Sequence, residues 1–477
     1  MPQLHFLVIS FPAQGHINPA LQFAKRLTRS EAQVTFLTSM SAHRRMTKTA
    51  TIDGLTYASF SDGYDDVFLP SDDFVNYMVE LKRCSSQALT DLTAAAANDR
   101  RPVTCIFYNF LLSWVADVAR DLHVPSAVLW IQPAAILGLY YYYFNGYADL
   151  IHGNNNDPSF SIQLPGLPLL TSRDLPSFLI PSNDNARHPH VMPYVQKLFE
   201  NLEREIPKAR VLVNSFDDLE VEALRAIDKF NIVAIGPLLP SAFLDSKDSS
   251  DTSFGGDMMI SSSRDYIDWL NSKPEASVVY ISFGTTSSLS KSQVRKIAHG
   301  LLESRRPFLW ILRQPPETET ETETGKEEGG ILDNMEELKQ YGMVIPWCSQ
   351  VEVLCNPSIG CFVTHCGWNS TLESLVAGVP MVTFPQWSDQ ATNAKLIKDV
   401  WKTGLRLGLN EEGLVEGDEL KKCVEIVMEG ESGAEMRKSA KKWKELAKKA
   451  VMDGGSSDKN LQALVDEVRS LQSSSIQ

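Results

Sequence analysis

The chain is short of basic residues: 45 Lys and Arg stand against 59 Asp and Glu, giving a net charge of −14 and a pI near 5.2. Phosphate backbones and anionic membranes need a basic surface, so both are disfavoured as partners. No apolar run is long enough to span a bilayer. The opening stretch MPQLHFLVIS lacks a basic region and a small-residue cleavage site, so no signal peptide is expected. The seven cysteines are odd in number, scattered, and mostly inside apolar runs, which reads as reduced thiols in a cytoplasmic protein. There is no G-x-S-x-G elbow and no Walker A sequence. FPAQGHINPAL, after the first apolar run, has one glycine where a dinucleotide fingerprint needs three. His365 and Cys366 are adjacent, without the spacing of a zinc pair, so no metal is expected.

What is present is a repeated alternation. LHFLVIS (4–10) reads as a buried strand, INPALQFAKRL (17–27) as a helix and AQVTFLTS (32–39) as a second strand. Strand-like runs continue at 103–109, 125–131 and 209–215. This rhythm predicts an α/β fold with a parallel sheet. It restarts after 241–257, SAFLDSKDSSDTSFGGD, a polar segment read as a linker. SVVYISFG (277–284), PFLWILR (307–313), MVIPW (343–347), GCFVTH (360–365) and VPMVTFP (379–385) follow. Two Rossmann-like, doubly wound domains facing across a cleft are expected: 1–240, then 258–455, with 456–477 as a terminal helix packing back on the first domain. Ligands of such sheets bind beyond the carboxyl ends of the strands. ETETETET (317–324) reads as a disordered acidic loop, and MRKSAKKWKELAKKA (436–450) as an amphipathic helix with a solvated basic face.

One strand-to-helix junction concentrates chemistry. In CFVTHCGWNSTLES (361–374) an apolar run breaks at His365, Gly367, Asn369 and Ser370, then resumes at helical spacing. The glycine permits a tight turn, Asn369 and Ser370 are good N-caps, and the exposed N–H groups of a helix start attract an anion. His365 and Asn369 add side-chain donors. A capped helix without a ligand remains an open alternative at this level. A second glycine turn, SFGTTSS (282–288), could meet the other side of a diphosphate.

Residues 347–390, WCSQVEVLCNPSIGCFVTHCGWNSTLESLVAGVPMVTFPQWSDQ, resemble the 44-residue signature box of plant family 1 UDP-sugar-dependent glycosyltransferases. FPAQGHINPALQFAKRL and the overall layout resemble that family too. The closest group is the one that glucosylates anthocyanin 5-hydroxyls and forms glucose esters. The resemblance implies a GT-B fold and metal-independent, inverting transfer from UDP-glucose to a small aromatic or conjugated acceptor, by a monomer with no other cofactor. It implies that Trp347 stacks on uracil, with the Cys348 backbone and the Gln350 side chain beside it. Glu373 would hold the ribose hydroxyls, His365, Asn369, Ser370 and Thr285 the diphosphate, and Trp368, Asp389 and Gln390 the sugar. His16, in the loop after the first strand, would be the general base. The tyrosines of GLYYYYFNGY (138–147), read as consecutive helical turns, suggest aromatic walls for the acceptor. Candidates are Phe110, Trp114, Tyr140, Tyr143 and Phe178.

The chain departs from the family at Asn109, where many members carry an aspartate that orients the histidine and stabilises imidazolium. Asn356 replaces a common histidine and carries little functional weight. Asn109 keeps alive a rival reading, a non-catalytic or weakened nucleotide-sugar binder. An oxidoreductase is disfavoured by the missing glycine fingerprint.

Overall fold

The computed structural model describes residues 3–46, 52–65, 73–153, 160–180, 191–206, 209–254, 264–285, 287, 289–313 and 335–474. The acidic repeat at 317–324 and the last residues of the expected linker lie outside them. The chain divides into two compact units, one formed by 1–258 with 447–477 and the other by 259–446.

The first unit is built on β1 (His5–Ile9), β2 (Gln33–Ser39), β3 (Leu55–Phe60), β4 (Cys105–Asn109) and β5 (Ser126–Trp130). A short antiparallel pair follows, β6 (Ser161–Ile162) and β7 (Leu170–Thr171), then β8 (Arg210–Val213) and β9 (Asn231–Ala234). The seven long strands form one parallel sheet in the order β3-β2-β1-β4-β5-β8-β9. Its central strands are apolar at almost every position because helices cover both faces: Phe6, Leu7, Val8 and Ile9 of β1 are buried, as are Ile106, Phe107 and Tyr108 of β4. The strand order reverses between β1 and β4, which pair in register through Phe6 and Cys105.

Helix Gln14–Thr28 starts earlier than its apolar spacing suggests. The chain turns at once after Pro12, and the Ala13 carbonyl accepts from the His16 and Ile17 N–H groups at 2.9 Å each. His16 therefore stands in the first helical turn and not in the preceding loop. The tyrosine run departs further. A helix covers Ala134–Tyr142, but Asn145 leaves helical geometry and Gly146 takes φ +90°. The Asn145 side-chain amide donates to the Tyr141 carbonyl at 2.8 Å, in competition with the helical ladder.

Segment 241–254 is packed onto the first unit and is no free tether. Its acidic residues meet cations of helix Gln14–Thr28: Asp251 pairs with Lys25 at 2.6 Å and Asp245 with Arg29 at 2.7 Å. The last helix, Ser456–Ser474, also belongs to the first unit. There Ser457 Oγ donates to the Gly236 carbonyl at 2.6 Å, and Asn460 Nδ2 to that of Ala234 at 2.9 Å. The division between the units falls near residue 446, inside helix Gly430–Val451.

The second unit carries β10 (Val278–Ser282), β11 (Phe308–Ile311), β12 (Gly342–Ile345), β13 (Ile359–Thr364), β14 (Met381–Thr383) and β15 (Gly404–Arg406). They form a parallel sheet in the order β12-β11-β10-β13-β14-β15, reversing between β10 and β13. Val279, Ile281, Phe308, Trp310, Cys361, Val363 and Val382 lie in its core. Among the described residues no helix is long and apolar enough to cross a membrane.

Candidate active site

Each sheet places its polar residues where the strand order reverses, at the carboxyl ends of the two strands flanking the switch point. That is where open α/β sheets bind ligands.

In the first unit these strands are β1 and β4. Asn109 ends β4, is fully buried, and starts a short 3-10 turn over Phe110–Leu112. Its Oδ1 accepts from the Leu111 N–H at 3.3 Å and faces His16 Nδ1 at 2.8 Å. A backbone N–H can only donate, so the atom it meets is the amide oxygen. His16 Nδ1 must then carry the proton, which leaves Nε2 with a free lone pair. The imidazole lies between Phe11 (ring centroids 5.1 Å apart) and Phe110 (5.8 Å, nearly parallel). Burial pushes its pKa down to about 4, with the Asn109 hydrogen bond opposing. His16 is thus neutral at pH 7 in a fixed tautomer. The Asn109 Nδ2 group has no hydrogen-bond partner among the described residues.

In the second unit the strands are β10 and β13. Gly284 follows β10 at φ +76°, and a Cβ there would lie 2.6 Å from His365 Nε2. A Cβ on Gly367 would meet the same atom at 2.6 Å. Two glycines thus let two turns close on one imidazole. Burial pushes the His365 pKa down to about 4, opposed by the Ser282 backbone. Helix Trp368–Ala377 begins at once, capped by Gly367 without a side-chain cap. Cys366 between them holds φ +53°, rare for a residue with a side chain. The turn is fixed by neighbours: Cys366 N–H donates to Thr364 Oγ1 at 3.0 Å, and Asn393 Nδ2 to the Cys366 carbonyl at 2.9 Å. The Asn393 amide also reaches Asp389 Oδ2 at 2.8 Å, tying the 386–390 turn to the 365–370 turn. Burial raises the Asp389 pKa, with the Asn393 hydrogen bond opposing.

The expected nucleotide residues cluster in part. Gln350 Nε2 donates to Ser370 Oγ at 2.7 Å and to Glu373 Oε2 at 2.8 Å, so these three form one network. Trp347 and Asn369 are half-buried, and Cys348 is buried. Thr285 is exposed, with its carbonyl held by Arg313 Nη1 at 3.0 Å. Gln390 is buried, its Oε1 accepting from the Gln386 and Trp387 N–H groups at 2.8 and 3.1 Å. Its side-chain oxygen is thus used to shape the turn. Trp368 is turned into the core, 4% exposed, with its ring 5.9 Å from Trp401. It is the first residue of that helix.

The aromatic residues proposed for the acceptor separate into two sets. Phe110 lies against His16 and against Trp130 (4.8 Å). Trp114 and Tyr140 are core residues. Trp114 is 3% exposed and donates from Nε1 to Ser85 Oγ at 3.0 Å, while Tyr140 is 1% exposed and packs edge-on against Trp130. Tyr143 and Phe178 are half-buried. Asn356 is structural, its amide bridging Asn271 and Ser358. Sequence reasoning missed Phe11, Tyr280, Arg313 and Asn393. Phe11 was within reach of the strand-end rule, since it follows β1, whereas Tyr280 stands in the middle of the fully buried β10 and outside that rule. Among the described residues no three His, Cys, Asp or Glu side chains gather as a metal site.

Comparison with known proteins agrees with this geometry. The model of the family "UDP-glucoronosyl and UDP-glucosyl transferase" matches residues 246–440. The chain is 56% identical over 480 residues to phloretin 4'-O-glucosyltransferase of Malus domestica, covering 99% of both. It is 55% identical to a crocetin glucosyltransferase of Gardenia jasminoides (98% of this chain, 97% of the relative). It is 52% identical to anthocyanidin 3-O-glucoside 5-O-glucosyltransferase of Verbena hybrida (98% and 99%). Among solved structures, Os79 from O. sativa in complex with UDP superposes with a TM-score of 0.81 at 30% identity, over 97% of this chain and 100% of that one. The two doubly wound units are those of the GT-B fold. With relatives more than half identical along nearly its whole length, the chain belongs to the UDP-glucoronosyl and UDP-glucosyl transferase family and is a glycosyltransferase.

Proposed function

We propose that the protein transfers glucose from UDP-glucose, with inversion and without a metal, to a hydroxyl or carboxyl group of a small aromatic or conjugated plant metabolite. It would act as a monomer in the cytoplasm. The observation that carries this reading is the fixed tautomer of His16: Nδ1–H is committed to Asn109, and Nε2 is free to take a proton. The acceptor oxygen attacks the anomeric carbon as its proton passes to Nε2. The bond from that carbon to the diphosphate oxygen breaks, and UDP departs with the electron pair. His365, Asn369, Ser370 and Thr285 would receive the diphosphate, whose charge grows as the sugar leaves. Donors fixed there in advance stabilise the transition state more than the ground state. Trp347 would stack on uracil, Glu373 would accept from the ribose, and Asp389 and Gln390 would line the sugar. Phe11 and Phe110 would wall the acceptor beside the base. The three relatives named above, glucosyltransferases for phloretin, crocetin and an anthocyanidin glucoside, support the donor and acceptor classes.

Asn109 favours one refinement. An amide orients His16 but offers no charge to the imidazolium that forms. A carboxylic acid, with a pKa near ~4 against ~10 for a phenol, arrives already ionised and needs no base. The test is His16→Ala assayed by UDP release with EDTA present, using a phenol without a carboxyl group and a carboxylic acid without a phenol. Loss of general-base catalysis should cost the phenol on the order of 100-fold or more, while the acid retains most of its rate. Equal collapse of both would sink the refinement. Absence of turnover with either acceptor in the wild-type protein would favour the nucleotide-sugar binder.

A further inference from the structure

The hydrogen bonds around Gln350 form a chain whose direction is set by chemistry. A carboxylate oxygen only accepts, so the Gln350 atom facing Glu373 Oε2 at 2.8 Å is the amino group. The same group faces Ser370 Oγ at 2.7 Å, so both amide hydrogens are spent. Gln350 Oε1 therefore points the other way, towards Tyr280 OH at 3.3 Å, and the phenol must donate to it. The phenol oxygen then accepts from the Cys348 thiol, also 3.3 Å away. Burial raises the Tyr280 pKa well above its ordinary value and that of Cys348 to about 12, so both keep their hydrogens at neutral pH. The run Cys348 to Tyr280 to Gln350 to Glu373 is a sequence of donors aimed one way. Such chains polarise each bond in turn. Its anchor is rigid: Tyr280 is 1% exposed in the central strand β10, and its ring is stacked on Phe362 of β13 at 4.9 Å.

We propose that Tyr280 is a positioning residue for nucleotide recognition, its buried phenol orienting the Gln350 amide and, through it, the Glu373 carboxylate towards the ribose 2′-hydroxyl. This rests on the reading that Glu373 receives the ribose. Tyr280 would touch neither sugar nor phosphate; it holds the oxygen end of an amide whose amino end is held by Glu373 and Ser370. Without the phenol, Glu373 still draws the amino end, but the amide oxygen loses its donor, so the amide is held at one end only and no longer fixes the carboxylate. The consequence is loss of discrimination between ribose and 2-deoxyribose, not loss of the chemical step.

The experiment is isothermal titration of the full chain with UDP and with 2′-deoxy-UDP, for wild type, Tyr280→Phe and Phe362→Leu, alongside steady-state kinetics with UDP-glucose. A hydrogen bond to a carboxylate gives wild type a preference for UDP of about tenfold or more. Tyr280→Phe is expected to shrink that preference to about twofold, with KM for UDP-glucose raised severalfold and kcat within about twofold. Phe362→Leu disturbs the packing of the same ring but keeps the phenol, so it should lower stability and leave the preference intact. A full preference in Tyr280→Phe overturns the proposal while the role of Glu373 stands. An equal collapse in Phe362→Leu also overturns it, because packing and not the hydroxyl would then be responsible. A wild-type preference near one overturns the ribose reading of Glu373, and the proposal falls with it.

Discussion

Asn109→Asp tests what the missing charge costs. The substitution puts a carboxylate oxygen where Oδ1 now stands, 2.8 Å from His16 Nδ1, and keeps an acceptor for the Leu111 N–H. It also removes the unpartnered Nδ2. At an effective dielectric of about 20 and about 4 Å between charge centres, the attraction between carboxylate and imidazolium is ~4 kcal/mol, or roughly three pKa units. Desolvating the new carboxylate takes back about half of that. The His16 pKa should therefore rise from about 4 to roughly 5.5. Some 2 kcal/mol of imidazolium stabilisation, felt mostly in the transition state, gives a rate faster by on the order of 30-fold with a phenolic acceptor. The neutral imidazole is the working form and is lost as pH falls through its pKa. The acid limb of kcat/KM should accordingly move up in pH by about one and a half units. A carboxylic acid has no proton to surrender at pH 7, and its rate should stay within about twofold. Progress curves of UDP release for both acceptors between pH 4 and 9 provide the measurement. An unchanged phenol rate, or parallel gains with both acceptors, would refute the reasoning.

Two further outcomes follow from burial. His365 is neutral in the folded protein with a pKa near 4, below the ordinary 6.5. The unfolded chain binds the extra proton between those values, so this contribution is full above pH 6.5 and is lost as pH falls towards 4. Urea unfolding at pH 7 and 4.5 should show His365→Asn losing about 2 kcal/mol less than wild type over that interval, and parallel losses would contradict it. Trp114→Phe should cost about 1–3 kcal/mol of stability, by leaving Ser85 Oγ without its donor, and should leave acceptor KM within about twofold. A tenfold rise in KM would return Trp114 to the acceptor pocket.

The sheets were legible because buried parallel strands are apolar at consecutive positions, as in LHFLVIS and GCFVTH, and turns with Gly or Pro punctuate them. The strand-to-helix turn at 365–370 was legible for a related reason, since a strand, a glycine and small polar residues in that order leave few other structures, although the N-cap is Gly367 and not Asn369 or Ser370. The rest was hidden by degeneracy. Trp114, Tyr140 and Phe110 are all large, apolar and buried, yet of the three Phe110 is the one stacked on His16. Large aromatics serve walls and cores equally well, and spacing names only a helix face. Trp368 sits in the most informative stretch of the chain, and nothing in that stretch announces that its ring is buried against Trp401. Cys366 gave no signal because left-handed geometry is usually marked by glycine or asparagine. Gln350 hid its orientation because only its neighbours' chemistry decides which end of an amide faces which way.

The two histidines show how one physical device can serve two purposes. Burial brings each to a pKa near 4, so neither carries charge at pH 7. His16 is defined by a side chain on the neighbouring strand, which fixes the tautomer and leaves one nitrogen for chemistry. His365 is defined by two glycine turns that press on Nε2 and leave no room for a larger residue at either. On the proposed reading the first must change protonation during turnover, and the second must not. Sensitivity to a nearby charge should follow that division. Asn109 lies 2.8 Å from the histidine that must change protonation, which makes residue 109 a position from which the strength of that base can be set.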